Sequence, residues 1–362
     1  MRLPIIGNDA SKINEDEAMK MIRYAIDKGV NYVDTAFVYH RGNSETFLGK
    51  VLLNGYREKI KLATKMPTWQ VKSEHDMDAC LDEQLNRLNV DHVDFYLLHG
   101  LTGERFQKLK ELNVLEWAEK KMDERKFMYL GFSFHDEYEA FKKIIDSYDG
   151  WTMCQIQYNY LDANYQAGTK GLKYAASKGL AVVVMEPIAG GRLAFKPPPQ
   201  IQKIWDSAEA KRSLAQWALL WVWNHPDVSV VLSGMSAMQQ VTENVESAEL
   251  SGPDALSKKE LQLITKVAKK YRQLGFVGCS GCRYCLPCPE GVAIPDIISL
   301  YNEYYVHSDR DEIKKKYWEH ITPESQAKRC KRCGNCEKLC PQQLPIREIM
   351  SRAAMILEQP SS

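Results

Sequence analysis

The chain has 362 residues and a formal net charge of +1. At this length it can bury a large core, and more than one domain is expected. The near-neutral charge gives no indication of nucleic acid binding, and no apolar run approaches the roughly 20 residues of a membrane-spanning helix. The N-terminus lacks the apolar core of a secretory signal. We therefore expect a soluble cytoplasmic protein with neither a nucleic acid nor a membrane partner.

Short apolar segments alternate with amphipathic segments over residues 14–247. The predicted strands are 32–33, 60–64, 93–98, 129–133, 153–157, 181–185 and 228–232. The predicted helices are 14–28, 44–52, 73–88, 213–224 and 237–247, with a helix-rich loop at 100–126 and a helix that opens at 134–136. This alternation predicts an α/β protein with a (β/α)8 TIM barrel. An open doubly wound sheet is the alternative, but no Gly-x-Gly-x-x-Gly turn follows a first strand.

Three local features refine this pattern. Asn14 precedes an acidic turn and is predicted to cap the first helix. Met1–Gly7 is a short apolar start, so we expect either that the true start lies upstream or that the first barrel strand is short. Lys196–Pro199 is predicted to form a stiff loop after the strand at 181–185, serving as a lid or as a spacer.

Polar residues follow three successive predicted strands. Asp34, Lys65 and His99 each stand where an apolar strand ends, and Tyr39 comes shortly after Asp34. A buried carboxylate is costly unless it is paired with a cation or lies at a strand mouth. Barrel enzymes keep their chemistry at the carboxyl ends of their strands. Three unrelated strand-end charges are the alternative, but their combination with Tyr39 favours one polar cluster.

Three stretches around these residues resemble motifs of the aldo-keto reductase family. They are GVNYVDTA at 29–36, LATK at 62–65 and LLHG at 97–100. In this comparison Asp34, Tyr39, Lys65 and His99 look like the family's catalytic tetrad. The resemblance implies an oxidoreductase that transfers hydride from NADPH or NADH to a small carbonyl substrate.

The chemistry of these four side chains agrees with that role. A phenol with an ordinary pKa near 10 is a poor proton donor at neutral pH. The ammonium of Lys65 would lower the pKa of Tyr39 and make it a better acid. Asp34 can pair with Lys65 and keep it charged, while His99 can donate a hydrogen bond to the substrate oxygen.

Further positions resemble the nicotinamide side of the family's cofactor site. Ser133 and Gln155 look like the residues that contact the carboxamide, although Phe134 follows Ser133 where the family often has asparagine. Met185 stands where many relatives stack an aromatic ring on the nicotinamide. The resemblance therefore implies cofactor contacts at Ser133, Gln155 and Met185.

Two later segments resemble the rest of that cofactor site. Gly190 and Gly191 look like a loop whose backbone approaches the pyrophosphate, which glycine permits. The residues that resemble the adenosine side are Ser233, Gly234, Met235, Gln240 and Asn244. Many relatives carry lysine or arginine there to bind a 2′-phosphate, and this chain does not. The sequence therefore leaves NADP(H) and NAD(H) open.

Eight of the ten cysteines lie between residues 279 and 340. They form two runs that each end in Cys-Pro, namely Cys279, Cys282, Cys285 and Cys288, and Cys330, Cys333, Cys336 and Cys340. A break at Ser251–Asp254 precedes them, and 294–316 between the runs is predicted to be helical. We therefore predict a barrel domain at 1–250 and a mainly helical, ferredoxin-like iron–sulfur domain at 251–362.

The spacing of the cysteines suits two [4Fe-4S] clusters, and paired Cys-x-x-Cys motifs for zinc are the alternative. In two-cluster ferredoxins the cysteine before proline serves the other cluster. By that analogy one cluster is held by Cys279, Cys282, Cys285 and Cys340. The other is held by Cys330, Cys333, Cys336 and Cys288. The first run has one residue fewer before its last cysteine, which leaves its fourth ligand open.

These features support a carbonyl reductase of the iron–sulfur branch of the aldo-keto reductases. Hydride chemistry needs no cluster, so the clusters would be auxiliary or would transfer electrons. The alternative is an iron–sulfur electron-transfer protein that docks a redox partner protein and whose barrel docks or senses nicotinamide. The intact tetrad favours the reductase.

Overall fold

The computed structural model describes residues 2–7, 9–274, 276–306 and 310–359. Backbone contacts divide this part of the chain into two compact units. The first comprises the residues up to Pro187 together with Leu219–Ala255. The second comprises Ile188–Ala218 and the residues from Leu256 onwards. The predicted domain boundary at 250 stays a prediction, since this division falls at 255 and assigns Ile188–Ala218 to the second unit.

The first unit is built on a parallel sheet whose strands pair in chain order. The strands are β1 (Tyr32–Asp34), β2 (Lys61–Met66), β3 (Val93–Leu101), β4 (Phe127–Phe134), β5 (Met153–Gln157), β6 (Ala181–Met185) and β7 (Val230–Val231). Helices separate most of the successive strands, so the predicted α/β class and barrel-type order are confirmed. The strands β5 and β6 have the predicted bounds, whereas β3 and β4 are longer and β7 is shorter than expected.

The described residues form seven strands, one fewer than a complete (β/α)8 barrel. The apolar segment that precedes the first helix instead forms an antiparallel bridge between Ile5 and Ile13. The backbone N–H of Ile6 donates to Lys12 O at 2.9 Å and closes this turn.

The helices agree with the predicted periodicity over most of the chain. They are α1 (Glu15–Asp27), α2 (Asn43–Val51), α3 (Glu74–Leu88), α4 (Gly103–Glu111), α5 (Val114–Asp123), α6 (Tyr138–Asp146), α7 (Gly168–Ser177), α8 (Pro199–Asp206), α9 (Leu214–Trp223), α10 (Met238–Glu249), α11 (Lys258–Gln273), α12 (Ile294–Val306), α13 (Arg310–His320), α14 (Asn335–Leu339) and α15 (Ile346–Leu357). The predicted helix at 294–316 is described as α12 and α13, and its residues 307–309 lie outside the described residues. None of the helices within the described ranges is long and apolar enough to cross a membrane.

The predicted cap of α1 is wrong. Asn14 precedes α1, but its side chain accepts no hydrogen bond from the helix backbone. Its amide Nδ2 instead donates to Glu17 Oε2 at 3.1 Å. Ser73 and Ser257 do act as caps, and Ser257 forms a reciprocal capping box with Glu260 at the start of α11.

The two-residue period of the strands sorts their side chains onto two faces. On the face against the helices, Leu62 and Phe132 join a large core that also includes Tyr96, which stacks on Phe127 with ring centroids 4.9 Å apart. On the other face, Ala63, Leu97, Met153 and Val183 form a separate small cluster. Two residues further along the same four strands lie Lys65, His99, Gln155 and Met185, and Ser133 pairs with Gln155 in the register. These five side chains therefore lie on the same face of the sheet as the small cluster.

The second unit has its own apolar core within the described residues. It is formed mainly by α12, α13 and α15, and its fully buried members include Ile297, Ile313, Tyr317 and Met350. Six cysteines of the two runs pack against this core as partly buried side chains, namely Cys279, Cys285, Cys288, Cys330, Cys336 and Cys340. The helical character predicted for this region is therefore confirmed.

The close packing of α2 on α3 depends on a glycine. A Cβ at Gly49 would lie 2.8 Å from the backbone oxygens of both Arg87 and Leu88. Replacing glycine by alanine normally stabilises a helix interior by about 1 kcal/mol. We expect Gly49→Ala to destabilise the fold instead, by about 1–3 kcal/mol, because the added methyl overpacks the contact. Thermal unfolding followed by circular dichroism measures the change.

Gly103→Ala is the matched control for this variant. Gly103 opens α4, and a Cβ there would meet only side-chain atoms, the nearest at 3.4 Å. We expect this variant to unfold at or above the wild-type temperature. Equal unfolding temperatures for Gly49→Ala and the wild type would contradict the close packing of α2 on α3.

Candidate active site and cysteine groups

The structure brings Asp34, Lys65 and Tyr39 together at the ends of β1 and β2. Lys65 Nζ donates to Asp34 Oδ1 at 2.5 Å and to the Thr35 backbone oxygen at 2.8 Å. The same nitrogen lies 3.4 Å from the hydroxyl of Tyr39, which is in the 3-10 turn Tyr39–Gly42 after β1. The parallel register pairs Asp34 with Ala63, which brings the end of β1 beside Lys65. The polar cluster expected from the strand ends is therefore present.

Lys65 is an unusual buried cation. Its side chain is only 1% exposed, and that of Asp34 is 9% exposed. Burial lowers the pKa of Lys65 below the usual value, whereas the charges of Asp34 and Glu45 raise it. A buried ammonium of this kind is stable only if anions and hydrogen-bond acceptors surround it.

His99 lies beside this group near the end of β3. Its ring centroid is 6.0 Å from that of Tyr39, with the two planes at 84°. Burial, and then the positive charge of Lys65, lower the pKa of His99 well below its usual value. The imidazole is therefore neutral at neutral pH and can donate one N–H to a ligand.

A wall of further side chains surrounds His99. The ring centroids of Trp69 and His99 are 5.1 Å apart, and Trp69 is 41% exposed. The guanidinium of Arg105 lies over the Trp69 ring, 5.6 Å from its centroid. Thr68 Oγ1 donates to His99 O at 2.7 Å, and Arg105 Nη1 donates to Gly100 O at 2.7 Å. These bonds hold the backbone carbonyls of His99 and of the residue that follows it.

Three of the predicted site residues have a polar atom with no hydrogen-bond partner within the described ranges. These buried atoms are Asp34 Oδ2, His99 Nδ1 and Gln155 Oε1. Buried polar atoms are almost always hydrogen bonded in folded proteins. Their concentration on one face of the sheet is typical of a site that a bound ligand completes.

The predicted nicotinamide contacts lie on neighbouring strands. Ser133 of β4 and Gln155 of β5 face each other in the sheet register, and Met185 of β6 pairs with Gln157. Ser133 Oγ accepts a hydrogen bond from Gly100 N at 2.7 Å, which leaves its own hydroxyl hydrogen to donate. Phe134, in the place of the family's asparagine, is fully buried among the helices. The face therefore presents a hydroxyl and an amide side by side.

The predicted adenosine-side residues lie in the turn after β7, namely Ser233, Gly234 and Met235, and in α10, namely Gln240 and Asn244. Asn244 Nδ2 donates to Ser233 Oγ at 3.1 Å, and Gln240 Oε1 accepts from the backbone N–H of Ser236 at 2.8 Å. Gly234 is exposed, and Met235 is partly buried beside α1. A Cβ at Gly234 would lie 2.9 Å from Arg2 Cγ. Arg2 is thus a cation beside this segment that no sequence signal indicated.

Gly190 and Gly191 lie in the second unit, in the 3-10 turn Ala189–Ala194. Their φ angles are 69° and 99°, which favour glycine. A Cβ at Gly190 would overlap the backbone carbonyl of Ser280. Arg192 Nη1 also donates to Val277 O at 2.8 Å. The backbone that approaches most closely at Gly190 is therefore the start of the first cysteine run.

Five of the eight clustered cysteines line one pocket, together with Pro289 and Leu339. They are Cys285, Cys288, Cys330, Cys333 and Cys336. Burial, followed by the neighbouring thiols of Cys282, Cys279 and Cys340, raises the pKa of Cys285 to about 12. The thiols of Cys330 and Cys288 act in the same way on Cys336. These neighbours suit a grouping in which the first three cysteines of each run join the last cysteine of the other run. Because Cys285 also lines the pocket, the pairing expected from the ferredoxin analogy stays a prediction.

The chemistry of these groups fits iron–sulfur clusters. Clustered thiols repel one another as thiolates, so a cation or cluster that binds them removes that cost. The described part of the chain holds no group of three or more His, Cys, Asp or Glu side chains placed to bind a single metal ion. In a cubane the four thiolates bind different iron atoms, so their sulfurs need not converge on one point.

Comparison with known proteins identifies both parts of the chain. A model described as "Aldo/keto reductase family" matches residues 5–269. The chain belongs to the aldo/keto reductase family. It is therefore an oxidoreductase of this family. A second model, described as "4Fe-4S dicluster domain", matches residues 278–344, which include all eight clustered cysteines.

Relatives and solved structures agree with this assignment. L-galactose dehydrogenase of Arabidopsis thaliana is 27% identical over 292 residues, which cover 73% of this chain and 89% of the relative. Methylglyoxal reductase YeaE of Escherichia coli (strain K12) is 27% identical over 278 residues, or 73% of this chain and 90% of the relative. The structure of aldo-keto reductase AKR11C1 from Bacillus halodurans (holo form) matches with a TM-score of 0.59 and 28% identity, covering 74% of this chain and 91% of that one.

The grouping of the cysteines makes a testable prediction about iron content. If each group holds one cluster, Cys340→Ala should lower the bound iron from about eight to about four atoms per chain. Adding Cys282→Ala should remove no more, because both residues serve the same group. Adding Cys333→Ala instead should remove nearly all of it. Iron and sulfide analysis of anaerobically purified protein measures the content, and the reverse pattern for the two double variants would contradict the grouping.

Proposed function

We propose that this aldo-keto reductase reduces an aldehyde or ketone by hydride transfer from NADPH or NADH, with Tyr39 as the proton donor. The observation that carries the proposal is the buried chain of contacts from Asp34 through Lys65 to the Tyr39 hydroxyl. Methylglyoxal is the first carbonyl to test, because one curated relative is a methylglyoxal reductase.

The tetrad would provide what the reaction needs beyond the hydride. The bound nicotinamide supplies a hydride to the carbonyl carbon, and negative charge then develops on the carbonyl oxygen. Tyr39 donates its proton to that oxygen, and the ammonium of Lys65, 3.4 Å away, stabilises the phenolate that remains. Asp34 holds Lys65 charged and in place. His99, being neutral, donates a hydrogen bond that orients the carbonyl oxygen.

The cofactor would lie on the face of the sheet that carries the tetrad. Ser133 and Gln155 present a hydroxyl and an unpaired amide oxygen that suit a carboxamide, which has both donors and an acceptor. Met185 would contact the nicotinamide ring. By the family resemblance, Ser233, Gly234, Met235, Gln240 and Asn244 serve the adenosine side, and Gly190 and Gly191 the pyrophosphate.

The second unit would hold two [4Fe-4S] clusters in its two groups of cysteines. One-electron exchange with a partner protein is a second candidate role for this part of the chain. It is favoured by the exposure of Cys333, which is flanked by the exposed side chains of Lys331, Arg332 and Leu339. Apolar and basic groups around an exposed ligand suit an acidic electron carrier.

Replacing Tyr39 tests the proposed role of the phenol. We expect Tyr39→Phe to lower kcat for carbonyl reduction by about 100-fold or more, since general acid catalysis contributes factors of that size. Nicotinamide binding, measured by fluorescence, should change little because the ring remains. The assay is carbonyl-dependent NADPH oxidation by anaerobically purified, cluster-loaded protein.

Tyr32→Phe is the matched control. Tyr32 lies on β1, the strand that precedes Tyr39, and its hydroxyl donates a hydrogen bond to the Met153 sulfur at 3.9 Å. We expect this variant to keep wild-type turnover. Equal turnover by Tyr39→Phe and the wild type would rule out Tyr39 as the proton donor.

A further inference from the structure

A buried carboxylate lies behind the tetrad in the first unit. Glu45 of α2 is completely buried. Its Oε1 accepts hydrogen bonds from Thr64 Oγ1 at 2.5 Å and from Gln84 Nε2 at 2.7 Å. Its Oε2 lies 3.3 Å from Arg87 Nη1. Sequence patterns gave no reason to single out this residue, which lies in the first turn of α2.

The partners of Glu45 lead directly to Lys65. Thr64 precedes Lys65 in β2, and its side chain points to the helix face while that of Lys65 points to the site. Gln84 Nε2, besides binding Glu45, donates to the backbone oxygen of Lys65 at 3.0 Å. Gln84 is itself fixed by Tyr96, whose hydroxyl donates to Gln84 Oε1 at 2.7 Å. Glu45 therefore anchors the strand segment that carries the ammonium.

The hydrogen-bond pattern favours an ionised Glu45. Burial outweighs the hydrogen bonds of Thr64 and Gln84 and the charge of Arg87, so the pKa of Glu45 is raised. The Gln84 amide nitrogen and the Arg87 guanidinium can only donate to its oxygens, which favours the carboxylate over the protonated form. Arg87 is 22% exposed and also pairs with Glu83, so solvent and a second anion screen part of its charge. The charge of Glu45 is thus only partly cancelled.

We propose that Glu45 is a positioning residue of the reductase site, a second anion that, together with Asp34, keeps the buried Lys65 protonated. The proposal rests on the proposed function, in which Lys65 acts on Tyr39. The other titratable groups around Lys65 are Asp34 at the end of β1, Tyr39 in the following turn and His99 on β3. Two anions balance the burial of one ammonium, and the neutral His99 adds no second positive charge.

A purely structural role for Glu45 makes a different prediction. A buried carboxylate held by Thr64, Gln84 and Arg87 would stabilise the packing of α2 on β2 and α3 without affecting titration. Removing it would then lower stability and the fraction of active protein, but the pH dependence of the remaining activity would stay the same. The charge-dependent role predicts that the titration midpoint of Lys65 shifts, and that the shift remains after the activity is corrected for the fraction of active protein.

The decisive variant is Glu45→Gln, which keeps the size of the side chain and removes its charge. Without that negative charge the protonated form of Lys65 is less favoured, so its midpoint should move to lower pH. We expect a shift of about half to one pH unit, the order of effect that a partly screened charge inside a protein exerts on a neighbouring group. The midpoint is measured by NMR of protein labelled with 15N at the lysine Nζ, with Lys65 assigned through Lys65→Arg. The basic limb of the pH profile of kcat should move in the same direction.

Two further variants separate charge from geometry. Glu45→Asp keeps the charge and changes the contacts, so its Lys65 midpoint should stay closer to the wild-type value than that of Glu45→Gln. Glu83→Gln removes the exposed anion that also pairs with Arg87 and should leave the midpoint unchanged. An unshifted midpoint in folded Glu45→Gln would overturn the proposal. The NMR titration needs no substrate. It therefore tests the effect of Glu45 on the protonation of Lys65 even if the wild type reduces no carbonyl.

Discussion

The ion pair between Lys65 and Asp34 is the interaction on which the candidate site depends. An ammonium that is 1% exposed costs several kcal/mol of lost hydration unless nearby groups replace the water. Asp34, the Thr35 carbonyl and the Tyr39 hydroxyl do so from one short segment of chain. The pairing of β1 with β2 must hold its register for these contacts to form. The ion pair therefore couples the order of the first two strands to the chemistry at their ends.

The two parts of the chain use different redox chemistry. The face with Lys65, His99 and Gln155 suits a two-electron hydride transfer, which needs a dry and ordered site. The two groups of cysteines suit clusters that exchange single electrons. If each group takes three cysteines from one run and one from the other, as we predict, both runs must fold before either group is complete. The apolar core formed by α12, α13 and α15 provides the scaffold for this arrangement.

Local sequence patterns predicted much of this structure. The strand ends at Asp34, Lys65 and His99 were recognisable because apolar runs of strand length end in polar residues, and the cysteine spacing indicated the crossed grouping. Other features depend on contacts between distant residues. Gln84 of α3 binds Glu45 of α2, and Arg2 lies beside Gly234 although more than 200 residues separate them in the chain. No local sequence pattern predicts either contact. Asn14 has the residue type of a cap but bonds to Glu17. Lys196, Pro197 and Pro198 form a loop as predicted, whereas Pro199 begins α8, a position that suits proline.

The most direct test of the account follows a label on the transferred hydrogen. Anaerobically purified, cluster-loaded protein is mixed with NADPH carrying deuterium at the transferring position of C4 and with methylglyoxal, while cluster signals are recorded by EPR. The account predicts that the deuterium is found on the carbinol carbon of the product and that the cluster signals do not change during turnover. Reduction of the clusters by NADPH without a deuterated product would contradict it and would favour an electron carrier.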